Sequence, residues 1–98
     1  MAIGSFKNKA TEDINYGNAS KEALKLLPKK LHHKAQIKLA RLGAATSMRD
    51  LKEIRGNRLE SLKGKRKGQF SIRINNQYRI CFTWKDDNAF AVEIIDYH

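Results

Sequence analysis

The sequence predicts an α+β fold, with N-terminal helices packed on a small antiparallel β-sheet, and three observations carry that expectation. In the first half, Leu24, Leu27, Leu31, Ala35, Leu39 and Leu42 recur at spacings of three and four, the period of an apolar helical stripe. After Gly68 the period falls to two: Phe70, Ile72 and Ile74 alternate with Ser71 and Arg73, and Tyr78, Ile80, Phe82 and Trp84 alternate with Arg79, Cys81 and Thr83. Polar turn residues, Asn75-Asn76-Gln77 and Asp86-Asp87-Asn88, divide this second half into a meander of three strands. A chain of 98 residues, 41% apolar, closes one hydrophobic core and leaves little material for another, so residues 1–98 are expected to form one domain.

Taken in order, Ile3 to Lys7 reads as a short edge strand able to widen the sheet, and Asn8 to Tyr16 as a short helix ending at Gly17-Asn18. Pro28 sits at an early position of the main helix, where a missing backbone donor costs least, and that helix runs toward Leu42; alternatively, Pro28 divides a short preceding turn from it. Ser47-Met48-Arg49-Asp50 has the form of a capping box opening a further helix through Glu53. Arg55-Gly56-Asn57 reads as a loop, with Leu59 and Leu62 as anchors beneath exposed polar residues. The last strand sets Ala91, Glu93, Ile95 and Tyr97 against Val92, Ile94, Asp96 and His98, if it stays regular to the end.

Twenty Lys and Arg against ten Asp and Glu give a formal net charge of +10. That balance speeds encounter with a polyanion and makes binding salt-sensitive, so nucleic acid or a nucleoprotein is the leading partner class and an acidic protein the next. Surface charge serving solubility alone is the plain alternative. The basic residues run from Lys29-Lys30, Lys34, Lys38 and Arg41 through Arg49, Lys52, Arg55 and Arg58 into Lys63-Gly64-Lys65-Arg66-Lys67, just before the sheet.

No stretch has the length and apolar continuity of a membrane span, and the opening Met1-Ala2-Ile3-Gly4-Ser5-Phe6-Lys7 lacks the apolar run of a secretory signal, which favours the cytoplasm. Cys81 has no second cysteine for a disulfide or a zinc cluster, and its place between Ile80 and Phe82 suits a reduced strand residue better than a nucleophile. His32 and His33 lie in the helical segment with no matching metal cluster, so neither a metal nor another cofactor is expected.

The C-terminal third carries the residues for phosphate chemistry. Cutting RNA without a metal requires aligning the 2′-hydroxyl with the neighbouring phosphate, moving protons and compensating charge on the phosphate oxygens. Arg73 and Arg79 offer planar donor arrays to phosphate and Lys63 a point charge; as ordinary surface residues they would face solvent or pair with Glu60, Glu93 or Asp96. His98 exchanges a proton near neutral pH and Asp96 can act as a base or orient another group, although a frayed polar tail is the alternative for both. Tyr97 supplies a ring for base stacking, or packs with Phe6, Phe70 or Trp84. Glu60 is a proton acceptor near Lys63, or a surface carboxylate paired with a cation.

Two runs, Asn57-Arg58-Leu59-Glu60-Ser61-Leu62-Lys63-Gly64 and Gly68-Gln69-Phe70-Ser71-Ile72-Arg73-Ile74-Asn75-Asn76-Gln77-Tyr78-Arg79-Ile80-Cys81-Phe82, with the closing Val92-Glu93-Ile94-Ile95-Asp96-Tyr97-His98, resemble the HigB branch of the RelE/ParE toxin superfamily of bacterial toxin-antitoxin systems. The resemblance spans nearly the whole chain. It implies a RelE/ParE-like fold and a metal-independent endoribonuclease that cleaves messenger RNA in the ribosomal A site. It also implies a cognate antitoxin, and contact with operator DNA only through the antitoxin complex. By similarity, Arg79 contacts the scissile phosphate and Lys63 binds RNA or ribosomal phosphate, with Lys65, Arg66, Lys67 and Arg73 extending that surface. Asp96-Tyr97-His98 matches the family's terminal Asp-Tyr-His group, which positions RNA and moves protons. Glu60 departs from the pattern: some relatives carry His there, and a carboxylate accepts a proton but cannot bind phosphate as an imidazolium does. A ParE-like inhibitor of DNA gyrase and a non-catalytic RNA-binding protein are the other readings, since a shared fold does not fix function.

Overall fold

Side-chain caps set the helical half of the molecule. A computed structural model describes residues 3–97, and its helices are α1 (Lys9–Asn15), α2 (Lys21–Leu26), α3 (His32–Ala44) and α4 (Met48–Glu53). Three of them open on a short polar residue whose oxygen accepts an otherwise orphaned backbone N–H: Asn8 from Thr11 at 2.9 Å, Ser20 from Ala23 at 3.1 Å and Ser47 from Asp50 at 3.4 Å. At the fourth helix the reciprocal half of the expected capping box is displaced by one residue. Asp50 accepts from the backbone N–H and the hydroxyl of Thr46, both at 2.8 Å, one residue before the cap.

The main helix starts later than its stripe suggests. Pro28 is extended (φ −53°, ψ 138°), a 3₁₀ turn spans Lys29–Leu31, and α3 begins at His32, whose Nε2 lies 2.8 Å from the Leu27 carbonyl oxygen. The residues before the proline therefore form a helix of their own rather than a turn. The break shifts the phase of the stripe, so Leu24 is 45% exposed on α2 while Ala23 and Leu27 are buried.

The strands are β1 (Glu60–Ser61), β2 (Phe70–Arg73), β3 (Tyr78–Lys85) and β4 (Asn88–Asp96), antiparallel in the order β1-β2-β3-β4. The fourth strand is thus β1, drawn from a segment expected to be only an anchor before the sheet. Ile3 to Lys7 does not form a regular strand. It makes two isolated parallel bridges with β4, Ile3 to Ala89 and Phe6 to Val92, held by Gly4 N–H to the Ala89 carbonyl (2.7 Å) and Lys7 N–H to the Val92 carbonyl (2.9 Å). The reason lies in β4 itself. Between the pairs Cys81–Glu93 and Thr83–Phe90 the register shifts, and Ala91 takes a left-handed φ of 51° there. The N–H of Ala91 then donates to the Ser5 hydroxyl, and that of Val92 to the Ser5 carbonyl.

Ile14, Leu27, Ala35, Leu39, Leu42 and Leu51 from the helices pack on Ile72, Ile80, Phe82, Val92 and Ile94 from the sheet. Directly paired residues share a sheet face, so the register assigns the opposite face as well. Glu60 pairs with Ser71, Ser71 with Cys81, Cys81 with Glu93, Arg73 with Arg79 and Arg79 with Ile95. A row of polar and charged residues therefore faces away from the helices.

Two carboxylates tie the helical half to acid stability. The Asp13 carboxyl is held below the usual aspartate range, chiefly by the Ser20 hydroxyl that donates to it at 2.6 Å, and Asp50 is held below it by the Thr46 donors. A group with a folded pKa below its unfolded value stabilises the fold in full above the ordinary aspartate pKa of about 3.9, and that contribution is lost as pH falls through the folded value. Thermal melts followed by circular dichroism are accordingly expected to drop in midpoint below about pH 4, with a smaller drop for Asp13→Asn and Asp50→Asn.

Candidate active site

Arg79 sits at the start of β3 on the helix-free face, yet only 7% of it is exposed. Of the alternatives open to it as an ordinary surface residue, exposure to solvent is not met, because the segment before β1 folds over it, whereas the pairing with Glu60 is. A 3₁₀ turn, Arg55–Asn57, ends at Arg58 in the left-handed region (φ 44°), which aims the Arg58 carbonyl at Nη2 of Arg79, 2.6 Å away. The same Nη2 donates to the Ser71 carbonyl at 3.3 Å, and Nε donates to the Ser71 hydroxyl at 2.7 Å. Asn57 anchors this turn from beneath. It is fully buried, accepts from Lys38 Nζ at 3.0 Å and donates to the Leu51 carbonyl at 3.2 Å.

Two edges of the guanidinium are thus committed to the protein, and the remaining Nη1 stands 4.0 Å from Oε1 of Glu60, whose side chain is half exposed on β1. The Tyr97 ring covers the group, its centroid 5.7 Å from Cζ, within cation–π range. Glu60 and Tyr97 also line a cleft of about 300 Å³ together with Ser61, Leu62, Lys63 and Arg66. Arg66 is fixed there by Glu93 at 2.8 Å and Gln69 at 3.1 Å, and the Glu93 bond holds its guanidinium above the usual arginine range. Lys7 reaches the same Glu93 oxygen at 3.7 Å. Cys81 lies on this face but is buried, which pushes its thiol up and away from nucleophilic use.

The cleft therefore joins a carboxylate able to accept a proton, a locked guanidinium beside it, two further cations and an aromatic ring. Of the residues singled out in the sequence, Glu60, Lys63, Arg66 and Tyr97 line it, and Arg79 adjoins it through Glu60 and Tyr97. It does not bring in Asp96, which pairs with Tyr78 and so belongs to the face opposite Arg79 and Tyr97; Asp96 accepts from Gln77 Nε2 at 3.1 Å. Arg73 is the cross-strand neighbour of Arg79, but its Nη2 bonds to Asn76 in the β2–β3 turn. Lys65 and Lys67 are exposed in the turn before β2, outside the cleft lining. His98 lies outside the described residues.

Sequence reasoning missed Ser71 and the Arg58 carbonyl as the groups that hold Arg79, and it named Glu93 as a partner for Arg73, Arg79 or Lys63 rather than for Arg66. Ser71 and Glu93 were reachable in principle, since an antiparallel pairing of the three long strands puts both on the face of Arg79. The Arg58 carbonyl had no signal in the side-chain pattern.

Among the described residues no three of His, Cys, Asp and Glu gather as a metal-binding group, and no helix is long and apolar enough to cross a membrane. The fold is shared with two solved structures from Staphylococcus aureus, a YoeB-YefM complex (TM-score 0.59, 23% identity) and a YoeB dimer (TM-score 0.58, 22% identity), each covering 100% of this chain and 99% of the other. In sequence, 65 residues are 44% identical to Toxin HigB-1 of Vibrio cholerae serotype O1 (strain ATCC 39315 / El Tor Inaba N16961), covering 66% of this chain and 68% of that protein. Residues 5–98 match the HigB-like toxin family, described as the RelE-like toxin of the type II toxin-antitoxin system HigB. The chain accordingly belongs to the HigB-like family, the RelE-like toxins of type II toxin-antitoxin systems.

Proposed function

We propose that the cleft beside Arg79 cuts messenger RNA in the ribosomal A site, with Glu60 as the base and Arg79 as the phosphate-binding group. The placement of Glu60 Oε1 next to the one uncommitted edge of a locked guanidinium supports this division of labour. Glu60 takes the proton of the 2′-hydroxyl, and the freed oxygen attacks the adjacent phosphorus. Nη1 of Arg79 and the ammonium of Lys63 compensate the growing charge on the phosphate oxygens. The P–O5′ bond then breaks and the leaving oxygen takes a proton, for which His98 keeps the role its imidazole suggests. Tyr97 stacks against a flanking base. Asp96, on the other sheet face, positions the strand ends through Gln77 and does not serve as the base.

A shallow cleft on a chain this short organises RNA poorly by itself, so the ribosome supplies the alignment of the 2′-oxygen with the phosphorus. Membership in a toxin-antitoxin family, and a fold shared with YoeB in its YefM complex, support a cognate antitoxin as the cellular partner. Operator DNA is then met only through that complex, in the bacterial cytoplasm.

The test is cleavage mapping of a defined message in a purified translation system, with and without ribosomes. Cuts that require ribosomes and leave a 2′,3′-cyclic phosphate and a 5′-hydroxyl are expected. A 5′-phosphate with a free 3′-hydroxyl would overturn the mechanism, and intact message together with inhibited DNA supercoiling would transfer the protein to the gyrase-inhibitor class.

A further inference from the structure

Two costly arrangements meet at the turn before β1. Lys38 on α3 is only 7% exposed, and its ammonium donates to a neutral acceptor, Asn57 Oδ1, at 3.0 Å. Burial, ahead of the like charges of Arg41, Lys34 and Arg73, pushes its pKa below the usual lysine range. Taking a charge and an amide out of water is expensive even when they bond each other. At the next position Arg58 has a left-handed φ of 44°, a region that residues with a side chain rarely enter. An apolar pair at 38 and 57 and a glycine at 58 would avoid both costs.

Both costs fall on one hydrogen-bonded path that ends in the site. Fully buried Asn57 is pinned on several sides: besides accepting from Lys38, its Nδ2 donates to the Leu51 carbonyl of α4 at 3.2 Å and its backbone N–H to the Ile54 carbonyl at 3.0 Å. Gly56 lets the turn settle onto the ammonium, since a Cβ there would stand 3.3 Å from Lys38 Nζ, tighter than an ordinary contact. The pinned turn directs the Arg58 carbonyl at Arg79 Nη2, 2.6 Å away. The second acceptor on that edge, the Ser71 carbonyl, is farther off at 3.3 Å, so Arg58 is the closer hold. The path therefore begins in the helix layer and ends on the opposite sheet face, at the guanidinium whose Nη1 stands beside Glu60.

We infer that Asn57, backed by Lys38, is a positioning residue for the cleft: it holds Arg58 in the left-handed conformation, so that the Arg58 carbonyl stops Arg79 turning about its Nε–Cζ bond and keeps Nη1 on the Glu60 side. The inference deepens the reading of the cleft as an RNA-cutting site and rests on it. Neither Asn57 nor Lys38 touches the substrate. Without Asn57 the turn relaxes, Arg58 returns to an ordinary backbone region, and its carbonyl swings away from Nη2. The Ser71 hydroxyl still accepts from Nε, so the guanidinium stays in place but is free to rotate.

The test takes two readings on the full chain, at a temperature where melts show each variant folded. In heteronuclear NMR a guanidinium that cannot rotate shows separate Nη1 and Nη2 signals, and those of Arg79 are identified by their loss in Arg79→Lys. Asn57→Ala is expected to merge them and to leave the Nε signal in place. In single-turnover cleavage on programmed ribosomes, Asn57→Ala is expected to cut about tenfold more slowly at saturating protein, with the half-saturating concentration unchanged. In the Arg79→Lys background it is expected to add almost no further loss, because residues that act through one contact are not additive. Lys38→Met/Asn57→Leu removes both buried polar groups together, which is near neutral for stability, and serves where the alanine variant fails to fold; the same merged signals and slow cleavage are expected. Separate Nη signals in these variants would overturn the inference. So would a loss repeated in full in the Arg79→Lys background, which marks a purely structural support, or merged signals with wild-type cleavage. A wild-type protein that leaves the message on programmed ribosomes intact would instead overturn the nuclease reading, while the Nη signals still decide whether Asn57 holds Arg79.

Discussion

Arg79→Ala is expected to lower ribosome-dependent cleavage by about 10²–10³-fold, the usual loss when a preorganised donor to a developing oxyanion is removed. The effect reaches beyond charge. Arg79 is the donor for the buried Ser71 hydroxyl and for the part-buried Arg58 carbonyl, so truncation also removes both hydrogen bonds, at about 1–3 kcal/mol of stability. Arg79→Lys separates the two contributions. A lysine restores one positive charge but cannot present Nε and Nη2 to Ser71 and Arg58 while aiming a third edge at the cleft. It is therefore expected to fold more stably than the alanine variant and still to cut at least about tenfold more slowly than the wild type. Single-turnover cleavage on programmed ribosomes, alongside thermal melts, checks both. Wild-type cleavage by Arg79→Lys would show that the fork geometry is irrelevant and that Arg79 acts as a point charge.

Glu60→Gln is expected to cost about 10²–10⁴-fold in the cleavage rate with little change in stability. The side chain is half exposed and its contact with Arg79 is at the outer limit of an ion pair, so the amide loses proton acceptance and almost nothing else. Glu60→His replaces one proton acceptor by another and is expected to recover part of that loss, whereas Glu60→Ala is not. Full activity in Glu60→Gln under single-turnover conditions would remove Glu60 as the base and return the proton to His98 or to the ribosome.

The order in which these roles emerge shows what the sequence could and could not reveal. The helix-then-sheet order, the cap at Ser47 and the hairpin through Asn75–Gln77 were legible because each depends on local chemistry: a hydroxyl before a helix, a period of two, and an Asn side chain that bonds the backbone N–H groups of Gln77 and Tyr78. The family resemblance gathered Glu60, Lys63, Arg66, Arg79 and Tyr97 into one list. It could not divide that list by sheet face. Asp96 and Tyr97 are adjacent in sequence and for that reason point to opposite faces, a separation that becomes decisive only once the pairing of Arg79 with Ile95 is known. The break at Pro28 hid α2 because the stripe was counted straight across it. The two-residue β1 was invisible to periodicity altogether, since two residues define no period.

That brevity gives the two halves of the chemistry unequal lifetimes. Arg79 rides on a central strand paired along both sides, whose opening requires most of the sheet to come apart, while Glu60 rides on an edge held by two residue pairs, Glu60–Ser71 and Ser61–Phe70. Edge segments with so few bonds open locally at a small fraction of the global unfolding free energy. The base can therefore leave the guanidinium and return many times while the rest of the molecule stays folded. Anything that clamps the 60–61 edge against β2 raises the fraction of time the cleft is complete, and anything that peels it away silences the site without distorting the phosphate-binding group.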